Sequence, residues 1–202
     1  MTTLAWPTLS RSAPASVEWT LQANTQVFES PLTRSVATLE IPGARWAVKF
    51  TLANLQESDT RLLQAFMYRL RGRAGRFTLH NFLRATPSGV ATGTPVVYGA
   101  SQTGASLVTA GWTPSTTGIL KAGDFWSVNG ELKMLVEDAA SDGSGHATLV
   151  FEPPLRESPA DAAALTVGLA TATFRLAGDD MPVVSNPGRI SDITIDAVEA
   201  WA

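Results

Sequence analysis

The run Arg45–Leu52 alternates without a fault. Trp46, Val48, Phe50 and Leu52 fall on one side of an extended chain, and Arg45, Ala47, Lys49 and Thr51 on the other. A helix, with its period of 3.6, would scatter these side chains around its axis, whereas a strand sorts them into two faces. The run therefore predicts a half-buried β-strand. It commits the chain to a sheet with one apolar face that another element must cover. Val17, Trp19, Leu21 and Ala23 alternate in the same way, as do Ala37, Leu39 and Ile41, and near the C-terminus Ile193, Ile195, Ala197 and Glu199 share a face. The segment Ile41-Pro42-Gly43-Ala44 predicts a type II turn joining the third run to the first. Pro31, inside Phe28–Thr33, interrupts any ladder there.

The cover for this sheet is predicted just downstream. Leu62, Leu63, Phe66, Met67 and Leu70 recur at helical spacing, with Leu62, Phe66 and Leu70 as the central stripe. Asn54 and Glu57 have the spacing of a capping box. Arg69 and Arg71 suit the last turn of the helix, and Gly72 supplies a left-handed stop. Beyond it, Phe77 and Leu79 mark another strand. The first sixteen residues, with Pro7 and Pro14, read either as a disordered tail or as an extended arm. Trp6 and Leu9 are costly to leave in water and favour an arm that packs, making them candidate subunit-interface residues.

From about Thr86 the composition shifts to Gly, Thr and Ser. Short strands are expected at Pro95–Tyr98, Ser106–Ala110, Asp124–Val128, Glu131–Glu137 and Ala147–Phe151, with another in Ala164–Val167. Asn129-Gly130 is a two-residue hairpin signal, and Asp142–Gly145 a second tight link. Near Ala170 the pattern of the N-terminal segment returns. The fold class expected is mainly β: a tail-tube-like β-sheet or sandwich domain with one packed helix, residues 1–86 and 170–202, interrupted by a small β-barrel or sandwich at 87–169. A single continuous sandwich is the alternative.

Several function classes fit this sequence poorly. It has no cysteine, so disulfides, thiolate metal sites and cysteine nucleophiles are absent together. A net charge of −3 argues against general attraction to nucleic acid. No apolar stretch is long enough for a membrane helix, and the N-terminus lacks the pattern of a signal peptide, so no membrane insertion and synthesis in the cytoplasm are expected. The two histidines, His80 and His146, stand alone, and no metal-ligand spacing occurs. Asp124, Glu131, Glu137, Asp138 and Asp142 gather in the insert, but Glu137 and Asp138 are adjacent and Asp142 sits in a turn, a poor start for a paired-carboxylate hydrolase. No catalytic residue, metal or cofactor is assigned.

Two constellations remain. Arg69, Arg71, Arg73 and Arg76 form the densest positive patch, which reads as a solvated or internally paired helix end, a subunit contact, or a nucleic-acid contact. Tyr98, Trp112 and Trp126 are a weak candidate platform for a carbohydrate, with Trp126 equally suited to a core. Only 16% of residues are charged against about 25% in ordinary domains. Either buried subunit contacts or the substitution of Thr and Ser for charge accounts for that.

Residues 28–52, the helix end 69–77, and the segments 99–107, 120–138 and 147–159 together resemble the distal tail proteins of long, non-contractile-tailed bacteriophages and prophages, and the resemblance covers about residues 17–199. It implies a β-rich core related to the tail-tube fold. It also implies a homo-oligomeric ring, six-fold in preference to three-fold, at the virion tail tip. There the ring joins the tail tube protein to hub and fibre proteins, and outer domains vary and hold fibres or bind sugars. No family-wide active site comes with it. Another ring of the same tail, a carbohydrate-binding module and a wall-degrading hydrolase are the competing functions.

Overall fold

The computed structural model describes residues 3–10, 13–186 and 190–201. In chain order the strands are β1 (Thr3–Ala5), β2 (Ser16–Gln22), β3 (Thr25–Glu29), β4 (Val36–Glu40) and β5 (Arg45–Gln56). The helix α1 (Glu57–Leu70) and a single 3₁₀ turn at Gly72–Ala74 lead to β6 (Arg76–His80). Then come β7 (Gly93–Val97), β8 (Gly104–Trp112), β9 (Phe125–Val128), β10 (Glu131–Leu135) and β11 (Ala147–Leu155). The chain returns through β12 (Thr171–Leu176), β13 (Val184–Asn186) and β14 (Ile190–Glu199).

The molecule is mainly β. A seven-stranded mixed sheet has the order β1-β6-β12-β14-β5-β2, with β13 beside β14; β1 runs parallel to β6 and the other pairs are antiparallel. A second, five-stranded sheet, β7-β8-β11-β10-β9, curls into a half-barrel. The two ends of the half-barrel segment meet where the Leu169 N–H donates to the Ala85 carbonyl at 2.6 Å, and Thr171 of β12 pairs with His80 of β6.

The alternation in β5 translates directly into burial. Trp46, Val48, Phe50 and Leu52 are all buried, and they join Ile193, Ile195 and Ala197 of β14 in one core. Removing each such side chain from water contributes about 1.5–3 kcal/mol. A second core lies inside the half-barrel around Trp126, Phe151, Leu107 and Leu149. The cores touch: Phe125 and Leu132 belong to the first one, and the Trp46 indole N–H donates to the Leu132 carbonyl at 2.9 Å.

The helix differs from the expectation in three respects. β5 continues through Asn54, whose φ is +56°, and the helix begins at Glu57 after Gln56, with no side-chain cap. Asn54 instead donates its backbone N–H to the Asp192 carboxylate at 2.8 Å, so it serves the sheet and not a capping box. The left-handed stop starts at Arg71, with φ +54°, and continues in Gly72. The buried stripe is Leu63, Met67 and Leu70; Leu62 is 47% exposed. The reason is that the helix shares its cover of the sheet with the N-terminal arm. Trp6 fills the space beside Phe66 (ring centroids 5.4 Å) and also meets Phe50, Phe77 and Phe82. Leu9 is buried in the same core, and the Ser10 hydroxyl donates to the Asp59 carboxylate at 2.7 Å, tying the arm to the first helical turn. Residues 1, 2, 11 and 12 of the arm lie outside the described residues.

The turn expected at Ile41–Ala44 is not a reversal. β4 pairs with β3, not with the large sheet, and the chain reverses at 30–35, where the Arg34 N–H donates to the Ser30 carbonyl at 2.9 Å. Pro31 sits in that reversal. Two residues, Ala23 and Asn24, link β2 to β3, while four, Ile41 to Ala44, link β4 to β5. The Ile41 N–H donates to the Asn24 carbonyl at 2.8 Å, carrying the ladder across the irregularity. The segment Ser16–Gln56 is thus one long hairpin whose far half leaves the sheet at a bulge. Extra residues on one strand bend a ladder in this way.

In the half-barrel, Asn129 and Gly130 have φ of +50° and +77°, as a primed two-residue hairpin turn requires. The expected strand in Ala164–Val167 reduces to isolated bridges, Val96 with Ala164 and Ser127 with Thr166.

Candidate assembly surface

The β3–β4 ribbon is exposed along its whole length. Together with its loop it nonetheless carries Val27 at 62% exposure, Phe28 at 60%, Leu32 at 92%, Val36 at 59% and Leu39 at 54%. Glu29 pairs with Val36 and stands two residues from Val27, so these three share one face; Phe28, Ala37 and Leu39 occupy the other. A two-stranded ribbon alone is marginal in water. One with apolar side chains on both faces gains stability only when something covers it.

A complementary feature lies at the margin of the large sheet. β2 pairs only with β5, so its outer row of backbone groups is a free edge among the described residues. Beside it runs a groove of about 400 Å³ walled by Val17, Trp19 and Leu21 of β2, by Leu83 and Arg84, and by Met134 of β10. The Arg84 guanidinium donates from Nη1 to the Gly123 carbonyl at 3.0 Å and lies 6.0 Å from the centre of the Phe125 ring.

The arginine patch separates into two parts. Arg73 binds Asp179 within the chain, through its backbone N–H (3.0 Å), Nε (3.0 Å) and Nη2 (2.8 Å). That contact holds the Asp179 carboxyl below its usual value and raises Arg73. Arg76 Nη1 donates to the carbonyls of Arg73, Ala74 and Gly75 at 3.1–3.2 Å, capping the 3₁₀ turn. Arg69 and Arg71 stay exposed and, with Leu4, line a shallow hollow. Leu9 is buried in the subunit's own core, and Trp6, partly buried, packs against it.

The carbohydrate platform does not form. Trp126 is fully buried against Phe151, and Trp112 is 3% exposed with its indole N–H donating to Thr109 Oγ1 at 2.8 Å. Only Tyr98 is exposed, stacked on His146 with ring centroids 4.3 Å apart. Three of the insert's carboxylates serve its architecture. Burial pushes Asp124 up, yet N–H groups of Ser88, Lys121 and Gly89 and the Ser88 hydroxyl hold it below its ordinary value. Asp138 accepts the Ala122 N–H, and Asp142 accepts those of Ser144 and His146.

A charged cluster at the junction of the two sheets escaped the sequence reading. Lys133, fully buried, donates from Nζ to Glu131 Oε2 (2.6 Å) and to the Pro154 carbonyl (2.8 Å). Arg156 grips Glu199, whose Oε2 also accepts the Trp46 N–H at 3.1 Å. Burial pushes the Lys133 ammonium down, and Glu131 partly offsets that. A lysine and a glutamate two apart in a strand that is apolar on its other face were the only signal.

No group of His, Asp or Glu among the described residues is arranged to hold a metal ion, and no described helix is long and apolar enough to cross a membrane. No protein-family model matches this sequence, and no curated protein matches it.

Proposed function

We propose that this chain is a structural subunit of a phage-type tail tip. It closes with copies of itself into a ring, six-fold in preference to three-fold, that joins the tail tube to hub and fibre proteins. The single observation that supports this reading is the projecting ribbon, which exposes five large apolar side chains on a chain otherwise able to fill two cores. Apolar surface of that kind marks a contact with another protein. The free edge of β2 adds a second feature suited to assembly. The resemblance of residues 28–52 and the helix end 69–77 to distal tail proteins supplies the place in the virion. The role is mechanical and uses no catalytic group.

Two measurements test it. Light scattering on the purified protein should give a mass near six times the 21.4 kDa of the chain at high concentration. Labelled protein in purified particles should appear as several copies at the tail tip. A single copy per particle, or label in the capsid, overturns the proposal. Label along the tube or at its head-proximal end makes it a different tail ring.

A further inference from the structure

We propose that the ribbon of one subunit docks into the groove beside β2 of the next copy, with Glu29 pairing to Arg84 across the contact. The proposal rests on the ring reading and adds to it the surfaces that meet.

The two surfaces match in shape class, polarity and charge. Among its strand residues, the ribbon face with Val27 and Val36 carries one charge towards the tip, the carboxylate of Glu29; Glu40 lies at the base, opposite Thr25, and the exposed Arg34 stands beyond the strands in the reversal. The groove formed by Val17, Trp19, Leu21, Leu83 and Met134 also carries one charge, the guanidinium of Arg84. Its one amide, Asn81, already accepts the backbone N–H groups of Leu83 and Arg84. Within the subunit neither Glu29 nor Arg84 has a counter-ion among the described residues. Leu83, on the rim of the groove, is 74% exposed. Covering it together with the ribbon buries apolar surface that the isolated subunit leaves in water. The free backbone edge of β2 offers hydrogen bonds to an arriving strand, the usual mode of strand addition.

A second copy is the occupant these observations favour. Ribbon and groove are different surfaces of one chain, so each subunit carries one donor and one acceptor. A contact of that heterologous kind propagates from copy to copy and closes as a ring when the rotation between copies is a whole fraction of a turn, whereas a two-fold dimer would need one surface that complements itself.

The absence of cysteine from the chain allows a clean test. Full-length protein carrying both Glu29→Cys and Arg84→Cys, treated at high concentration with a flexible bis-maleimide that spans the length of a Glu–Arg pair, should give a ladder of covalent oligomers ending at the ring size. Each single variant should stay unlinked, and a mixture of the two single variants should stop at dimers. In a parallel arm, Glu29→Arg and Arg84→Glu should each reduce assembly at least tenfold in concentration dependence, and the double charge swap should restore it. Melting temperatures of the Glu29 variants should match the parent, and those of the Arg84 variants, which lose the bond to the Gly123 carbonyl, should fall by a few degrees at most, so a loss of assembly is read at temperatures where every variant is folded. Absence of the ladder, a cross-link closed within one chain, or cross-linking only to another tail protein overturns the docking. If light scattering of the parent shows rings while the ladder is missing, the ring stands and the contact lies elsewhere. If the parent stays monomeric as well, both readings fall.

Discussion

Arg156 and Glu199 form a two-pronged ion pair across the junction of the two sheets, with Nη1 to Oε1 at 3.0 Å and Nη2 to Oε2 at 2.5 Å. Arg156 comes from the segment following β11 and Glu199 ends β14, so the pair bolts the half-barrel to the large sheet. Glu199 is only 2% exposed, and the indole of Trp201 stacks over the guanidinium at 3.9 Å. Breaking such a pair strands a buried carboxylate, which costs about 3–5 kcal/mol. Arg156→Ala should lose stability of that order in urea unfolding. Replacing both partners, Arg156→Met with Glu199→Leu, should lose clearly less, because no charge is then left buried alone.

The helix face can be checked residue against neighbour. Leu63 is fully buried and Leu62 is 47% exposed. Leu63→Ala should destabilise by about 2–5 kcal/mol. Leu62→Ala should stay within about 0.5 kcal/mol of the parent. Equal effects would mean the helix is rotated from the position described.

Asp124 provides a test in pH. Its carboxylate anchors Ser88 and Gly89 at the entry to the half-barrel and Lys121 in the loop before β9, which holds it below its ordinary 3.8. A carboxyl depressed on folding contributes stability that is complete above its unfolded value and is lost as pH falls through the folded one. The melting-temperature gap between the parent and Asp124→Asn should therefore be widest near neutrality and narrow below about pH 4.

Gly145 has φ +78°, and an added Cβ would lie 2.5 Å from the Trp112 carbonyl oxygen, which is backbone and cannot step aside cheaply. Gly145→Ala should cost more than about 1 kcal/mol in thermal unfolding. Gly130, with φ +77° but open space around it, should lose less on the same change.

The strongly patterned elements were legible in the sequence. Trp46–Leu52, Ile193–Ala197 and the Asn129-Gly130 hairpin stand where alternation and turn chemistry put them, because local pattern and tertiary burial agree there. The placement of β4 was not legible. Ala37, Leu39 and Ile41 alternate like a core strand, and alternation records that a face wants covering without recording which molecule covers it. Pro42-Gly43 likewise suits a reversal and a bulge equally. Leu62 and Leu63 are adjacent leucines, and the one that faces inward is set by long-range packing, in which Trp6 of the arm takes the place beside Phe66. Arg69, Arg71, Arg73 and Arg76 looked like one patch, yet Asp179, more than a hundred positions away, claims Arg73. Such long-range pairing has no local signature.

The bulge at Ile41–Ala44 has one more consequence. Gln22 pairs with Arg45 before it and Thr25 with Glu40 after it, so the pairing offset changes by two residues and not by one. Side chains in a strand swap sides with every residue, so an even step preserves parity: odd positions of the first strand still sit opposite even positions of the second. The same rule that puts Trp19 beside Val48 puts Glu29 beside Val36. Inserting one residue between Ile41 and Ala44 would break that parity between the two halves of the hairpin, while inserting two would keep it.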